Sequence, residues 1–122
     1  MLFRSLANAF KRMLTYVKKK KGYGLAGNQA GLPWRMCVVN FDGVYKLMLN
    51  PRVKKSLGDQ KSRESCYSVE NGHKPMNKQR ASYIEVEYED TKFKTRVIKG
   101  HNFRAAILQH ELDHLDGKDM RK

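Results

Sequence analysis

Residues 102–117 read NFRAAILQHELDHLDG, and in that stretch His110 and His114 stand four residues apart with Glu111 directly after the first. Asn102 suits an N-cap and Gly117 a C′ position, so the segment between them is expected to be a helix. On it Phe103, Ala106, Ile107, His110 and His114 share one face, with Glu111 at its border, because residues three and four apart stack on one side. Two imidazoles one turn apart can share a divalent ion, and a carboxylate beside them can take the proton of a bound water. The pattern is short, however, and also occurs on charged helix faces that bind nothing. A working site needs a third ligand, donors for an oxyanion and a place for substrate elsewhere in the chain.

Upstream, YIEVEYE (83–89) and FKTRVI (93–98) alternate apolar and polar residues on either side of Asp90-Thr91, which predicts an antiparallel pair ended by Lys99-Gly100. MCVVNF (36–41) and VYKLML (44–49) flank Asp42-Gly43, a dipeptide suited to a type I′ hairpin turn, and Asn50-Pro51 is expected to interrupt the second run. The glycine-rich KGYGLAGNQAGLPW (21–34) predicts a loop or irregular extended segment with close backbone approaches. In the opening MLFRSLANAFKRMLTYVKKKK, Phe3, Leu6, Phe10, Met13, Leu14 and Val17 recur at helical spacing, the stripe of a helix that packs on a core. That segment is basic, with no acidic residue before Asp42, so an organelle transit peptide is the competing reading. Its removal would strip a large share of a small apolar inventory.

A chain of 122 residues is expected to form one domain with a single core, leaving no room for a separate substrate domain. It carries 25 Lys+Arg against 12 Asp+Glu, a formal net charge of +13, which favours polyanionic partners such as RNA, DNA or an anionic membrane surface. No apolar run approaches the roughly 18 residues needed to cross a bilayer. With two cysteines and no secretory signal, a soluble monomer in a reducing cytoplasm is the expectation. Cys37 falls within an apolar strand-like run and reads as a small buried hydrophobe, whereas Cys66, in RESCYS, has a polar setting.

Cys66 is the best third ligand on offer, because a thiolate binds borderline-soft divalent metals better than scattered carboxylates do. A Cys-His-His set leaves one coordination position open, the mark of a catalytic rather than a structural site. The alternative is a free loop thiol. His73 and His101 lie outside the helix face and read as surface or loop histidines. Hydrolysis of an amide also needs oxyanion donors. The amide of Gln29 and the backbone N–H after a metal-bound cysteine could serve, although on composition alone Gln29 is one more loop glutamine.

Three stretches, GYGLAGNQ (22–29), ESCYS (64–68) and QHELDHLDG (109–117), resemble in order the three motifs of the peptide deformylases. AGLPWRMCVVN (30–40) and LNPRV (49–53) are similar to that family's intervening strands. The resemblance implies an α+β fold, with an N-terminal helix, antiparallel β-sheets and a C-terminal metal-binding helix. It implies one divalent metal ion held by Cys66, His110 and His114, Fe²⁺ in the cell and Zn²⁺ in isolated protein. Glu111 becomes the general base, and Gln29 with the Tyr67 backbone N–H the oxyanion site. Tyr23, Gly24, Glu64, Ser65, Phe103, Ala106 and Ile107 become the substrate-binding set, with a pocket for the methionine side chain, and Arg80 the partner of Glu64. The implied substrates are formyl-Met nascent peptides, with ribosomal RNA as a partner of the basic surface. Gly27 replaces the family's second alanine, Ser65 the glycine of the second motif, Tyr67 a leucine and Glu70 a frequent proline. The chain stops soon after Gly117, as expected of a short form without the C-terminal helix, such as a phage encodes. Two other readings stand beside this one: a His-Glu-x-x-His metallopeptidase, or a basic ribosome- or RNA-binding module with a structural metal.

Overall fold

A computed structural model describes residues 2–64 and 76–118. Helix α1 (Leu2–Lys20) buries Leu6, Ala9, Met13 and Val17, with Phe10 and Leu14 partly buried beside them. The apolar stripe is thus a packing face, at the spacing the sequence predicts. After it come β1 (Gly24–Ala26), a 3₁₀ turn (Gly27–Ala30), β2 (Met36–Phe41), β3 (Val44–Leu57), β4 (Gln60–Glu64), β5 (Met76–Arg80), β6 (Tyr83–Glu89) and β7 (Thr95–His101), before helix α2 (Phe103–Leu115). Five strands form an antiparallel sheet in the order β1-β2-β3-β6-β7, and β4 and β5 form a separate antiparallel pair.

Strand alternation divides the core between the two helices. On β2, Met36 and Val38 join the cluster around α1, while Cys37, Val39 and Phe41 join the one that holds Ala105, Ile107, Leu108 and Leu112 of α2. Successive side chains of a strand point to opposite faces, so α1 and α2 cover opposite sides of the sheet. Ile84, Val86 and Tyr88 of β6 extend the α2 side. A Cβ on Gly100 would lie 3.2 Å from the backbone nitrogen of Ala105, which shows how closely the first turn of α2 rests on β7.

Several local expectations are corrected. Asn50-Pro51 does not end the second strand of the hairpin: β3 runs through it to Leu57, and the register against β6 shifts between Leu49 and Arg52. Asn50 takes up the irregularity at a φ of 50°, a conformation asparagine tolerates better than most residues. Phe93 belongs to the β6–β7 turn, at a φ of 61°, and β7 continues through Lys99-Gly100 to His101. The β4–β5 pair lies in polar sequence that shows no strand signal. The glycine-rich stretch contains a short strand and a 3₁₀ turn rather than loop alone. Asn102 occupies the N-cap without a side-chain capping bond. Asp42 and Gly43 both have positive φ, as a type I′ turn requires. Gly117 and Lys118 donate to the carbonyls of His114 and Asp113, the Schellman ending expected of a C′ glycine.

Candidate active site

Helix α2 brings together three of the side chains that the sequence singles out. Glu111 and His114 are buried, and His110 is nearly so. The His110 Nε2 and His114 Nε2 atoms face each other at 3.2 Å. Nδ1 of His110 lies 2.8 Å from Glu64 Oε1, so in the neutral ring that nitrogen carries the proton and Nε2 presents a lone pair. Gln29 is oriented by the backbone: its Oε1 accepts from the N–H of Ala26 at 2.9 Å, which turns its NH₂ toward His114 Nε2 at 3.2 Å. A neutral His114 meets that donor with a lone pair as well. Two imidazole lone pairs converging at this distance repel, and a shared cation relieves the repulsion; the donor set fits a divalent metal.

The helix face that carries His110 and His114 is braced from beneath. Arg80 of β5 donates to both carboxylate oxygens of Glu64, at 2.9 and 2.7 Å, and its other terminal nitrogen bonds Asp113 on α2. Burial pushes the Glu64 carboxyl upward, but hydrogen bonds from Arg80, His110 and Ser62 outweigh it and hold the group at about 2. Glu64 is therefore ionised at neutral pH and fixes the ring of His110. Asn28 donates to the His114 carbonyl at 2.6 Å, and Gln109 exchanges bonds with the backbone of Ala81 at 2.9 Å, tying α2 to the β5–β6 corner. Gly24 explains how Glu111 reaches its place. A Cβ there would stand 2.6 Å from Glu111 Oε2 and 2.9 Å from the Val38 carbonyl.

Tyr23, Gly24, Gln29, Glu64, Phe103, Ala106, Ile107, His110 and Glu111 all line one cavity of about 130 Å³. An apolar cavity of about 150 Å³ admits benzene, so this one has room for a side chain the size of methionine. Tyr23 and Phe103 meet edge to face across centroids 4.8 Å apart. Residues from three distant stretches thus converge, and the Arg80–Glu64 pair is among the expected contacts. Ser65, Cys66 and Tyr67 lie outside the described residues, as do Glu70 and His73. His101 stacks on Tyr83, away from the site. Four lining residues were not singled out from the sequence: Tyr16 of α1, Leu25 of β1, and Ser62 and Arg63 of β4. The same is true of Asn28 and Asp113. Asp113 had a signal, standing three residues after His110 on the same helix; Asn28 and Ser62 had none.

Fold and site together define a class: an α+β protein whose last helix carries a His-Glu-x-x-His face beside a side-chain pocket. The polypeptide deformylase family profile matches residues 3–120. Peptide deformylase 1 of Clostridium perfringens is 34% identical over 107 residues, covering 86% of this chain and 71% of the relative. The peptide deformylase of Picosynechococcus is 34% identical over 114 residues, covering 88% of this chain and 59% of the relative. Among solved structures, the enzyme of a Vibrio parahaemolyticus bacteriophage in complex with actinonin superposes with a TM-score of 0.86 at 29% identity, over 94% of this chain and 83% of that one. The peptide deformylase of Legionella pneumophila gives 0.87 at 31% identity, over 93% and 68%. The chain belongs to the polypeptide deformylase family. It spans 71% of the first of these curated relatives and 59% of the second.

Proposed function

We propose that this chain, as one catalytic domain, hydrolyses the N-terminal formyl group of formylmethionyl peptides and releases formate. The observation that carries the reading is the convergence of His110 Nε2, His114 Nε2 and the Gln29 amide at a pocket that Glu111 also lines. Cys66, His110 and His114 would hold one divalent ion, which when bound supplies Lewis acidity to the formyl carbonyl and acidifies water. Glu111 takes a proton from the water that adds to the formyl carbon and returns it to the amine as the C–N bond breaks. The oxyanion of the tetrahedral intermediate accepts hydrogen bonds from the Gln29 side chain and the Tyr67 backbone N–H. Gln29 is set for this because its own carbonyl is already committed to Ala26. Tyr23, Phe103, Ala106 and Ile107 enclose the methionine side chain, Gly24 and Ser65 bound the substrate backbone, and Glu64 orients His110.

One thiolate and two imidazoles suit Fe²⁺ as well as Zn²⁺, and iron is the proposed ion in the cell, with zinc the form that survives isolation. The substrate is a nascent chain, so the place of work is the cytoplasm, as a monomer, near ribosomal RNA that the basic surface attracts. Formate release from formyl-Met-Ala-Ser, measured with and without a chelator, tests the activity. Turnover that ceases with chelator and returns with Fe²⁺ under reductant is expected, with decay in air as iron and Cys66 oxidise. Full activity in chelator would defeat the metal assignment, and an air-stable enzyme fully active with zinc alone would defeat the iron one.

A further inference from the structure

The pocket of the proposed site adjoins a second cavity. Tyr16, Leu25 and Gln29 line both, so the two share one wall. The first reaches Arg63 on β4, and the second reaches Arg12, one helical turn before Tyr16 on α1. The two arginines, carried on different elements, thus stand on either side of that shared wall. Both are exposed, and among the described residues neither joins an ion pair. The carboxylates that line these cavities among the described residues are Glu64 and Glu111. Glu64 is engaged by Arg80 and His110, and Glu111 is buried against Gly24, so neither offers a negative surface at the mouth. Among the described residues, the exposed charges that line the two cavities are those of Arg12 and Arg63.

Resting on the deformylase reading above, we propose that Arg12 and Arg63 select formylated peptides with Asp or Glu in the first few positions after the methionine. The selection acts where the chain emerges, through Coulomb attraction to side chains that take no part in the chemistry. Pairs between exposed charges are weak, so the preference is modest and depends on salt. An acidic peptide should exceed a neutral one by roughly two- to tenfold in kcat/KM at low ionic strength.

Three peptides decide it: formyl-Met-Asp-Asp, formyl-Met-Ala-Ser and formyl-Met-Lys-Lys, assayed with the iron-loaded enzyme at low and at high salt. The expected order of kcat/KM is acidic, neutral, basic, and the spread should shrink toward unity as salt is raised. Joint replacement Arg12→Gln with Arg63→Gln should bring the acidic-to-neutral ratio to about one, while Arg12→Lys with Arg63→Lys keeps it. Equal turnover of all three peptides overturns the proposal. So does a preference that survives the glutamine variant. Equal turnover together with binding of a single-stranded RNA oligonucleotide that the glutamine variant loses would assign the arginines to nucleic acid instead. Turnover of none of the peptides would defeat the deformylase reading itself, a different failure from the loss of selectivity.

Discussion

At Gly24 a single methyl group decides whether Glu111 can hold its place. An added Cβ would lie 2.6 Å from the Glu111 carboxylate and 2.9 Å from the Val38 carbonyl, and the second of these belongs to backbone that cannot swing away. Gly24→Ala is therefore expected to cost about 1–3 kcal/mol of stability through overpacking and to lower turnover by displacing the carboxylate. A chemical melt beside a formate assay checks it, and a variant as stable and active as the parent would show that the strand relaxes at no cost. Gly27 is similar: a Cβ would come within 2.9 Å of the Trp34 carbonyl, a physical reason for glycine where the family pattern has alanine. Glu111→Gln is a different change, since the amide keeps the shape and cannot accept the proton. With metal content unchanged, kcat should fall by about 10²–10⁴. Formate release at the parent rate by a metal-loaded variant would remove Glu111 from the chemistry.

At the scale of elements, the sequence disclosed what periodicity can carry. Helix α1 and strand β6 were readable because one face of each is buried and the other is wetter, and β2 because a short apolar run fits a strand buried on both faces. The β4–β5 pair was not, for Gln60 to Glu64 alternate between partly and fully exposed positions and have no apolar face to betray them. Asn50-Pro51 misled for a related reason. Proline and an αL asparagine usually end a strand, but here the pairing with β6 absorbs them as a register shift. The β6–β7 turn shows how a tight loop is held by one side chain. Asp90 accepts from the backbone of Lys92 at 2.8 Å and Lys94 at 3.0 Å, and from Arg96 at 2.9 Å. The Arg96 bond first, then those from the Lys94 and Lys92 backbone, hold its carboxyl at about 2, below its ordinary 3.8. A carboxyl depressed in the folded state contributes stability that is full above its unfolded value and fades as pH falls toward the folded one. Urea midpoints of the parent and of Asp90→Asn should differ at pH 6, and the gap should close between about pH 4 and 2. A gap that is constant across that range would show that the carboxylate's charge adds nothing to the turn.

For the whole molecule, the order of the sheet is what the sequence could not show. Which strands neighbour which depends on contacts far apart in the chain, and so does the placement of α1 and α2 on opposite faces. That placement fixes where the charge goes. With Leu6, Ala9, Met13 and Val17 turned to the sheet, Lys18 to Lys21 at the end of α1 are exposed, and no described helix is long and apolar enough to cross a membrane. Lys18 sits over the Tyr45 ring at 5.2 Å and Lys20 over Tyr16 at 5.9 Å, so the cluster interleaves cations with aromatic faces, a combination that suits single-stranded nucleic acid as well as bulk solubility. The two uses differ in what removing charge changes. Joint replacement of Lys18, Lys19 and Lys20 by glutamine should leave turnover of formyl-Met-Ala-Ser intact, because these side chains do not line the pocket. If the cluster docks the chain on ribosomal RNA, the variant should co-sediment with ribosomes more weakly than the parent at matched ionic strength, and the parent's own sedimentation should weaken as salt displaces it. Equal sedimentation of the two would mean that these lysines serve solubility and that any docking uses another face of the protein.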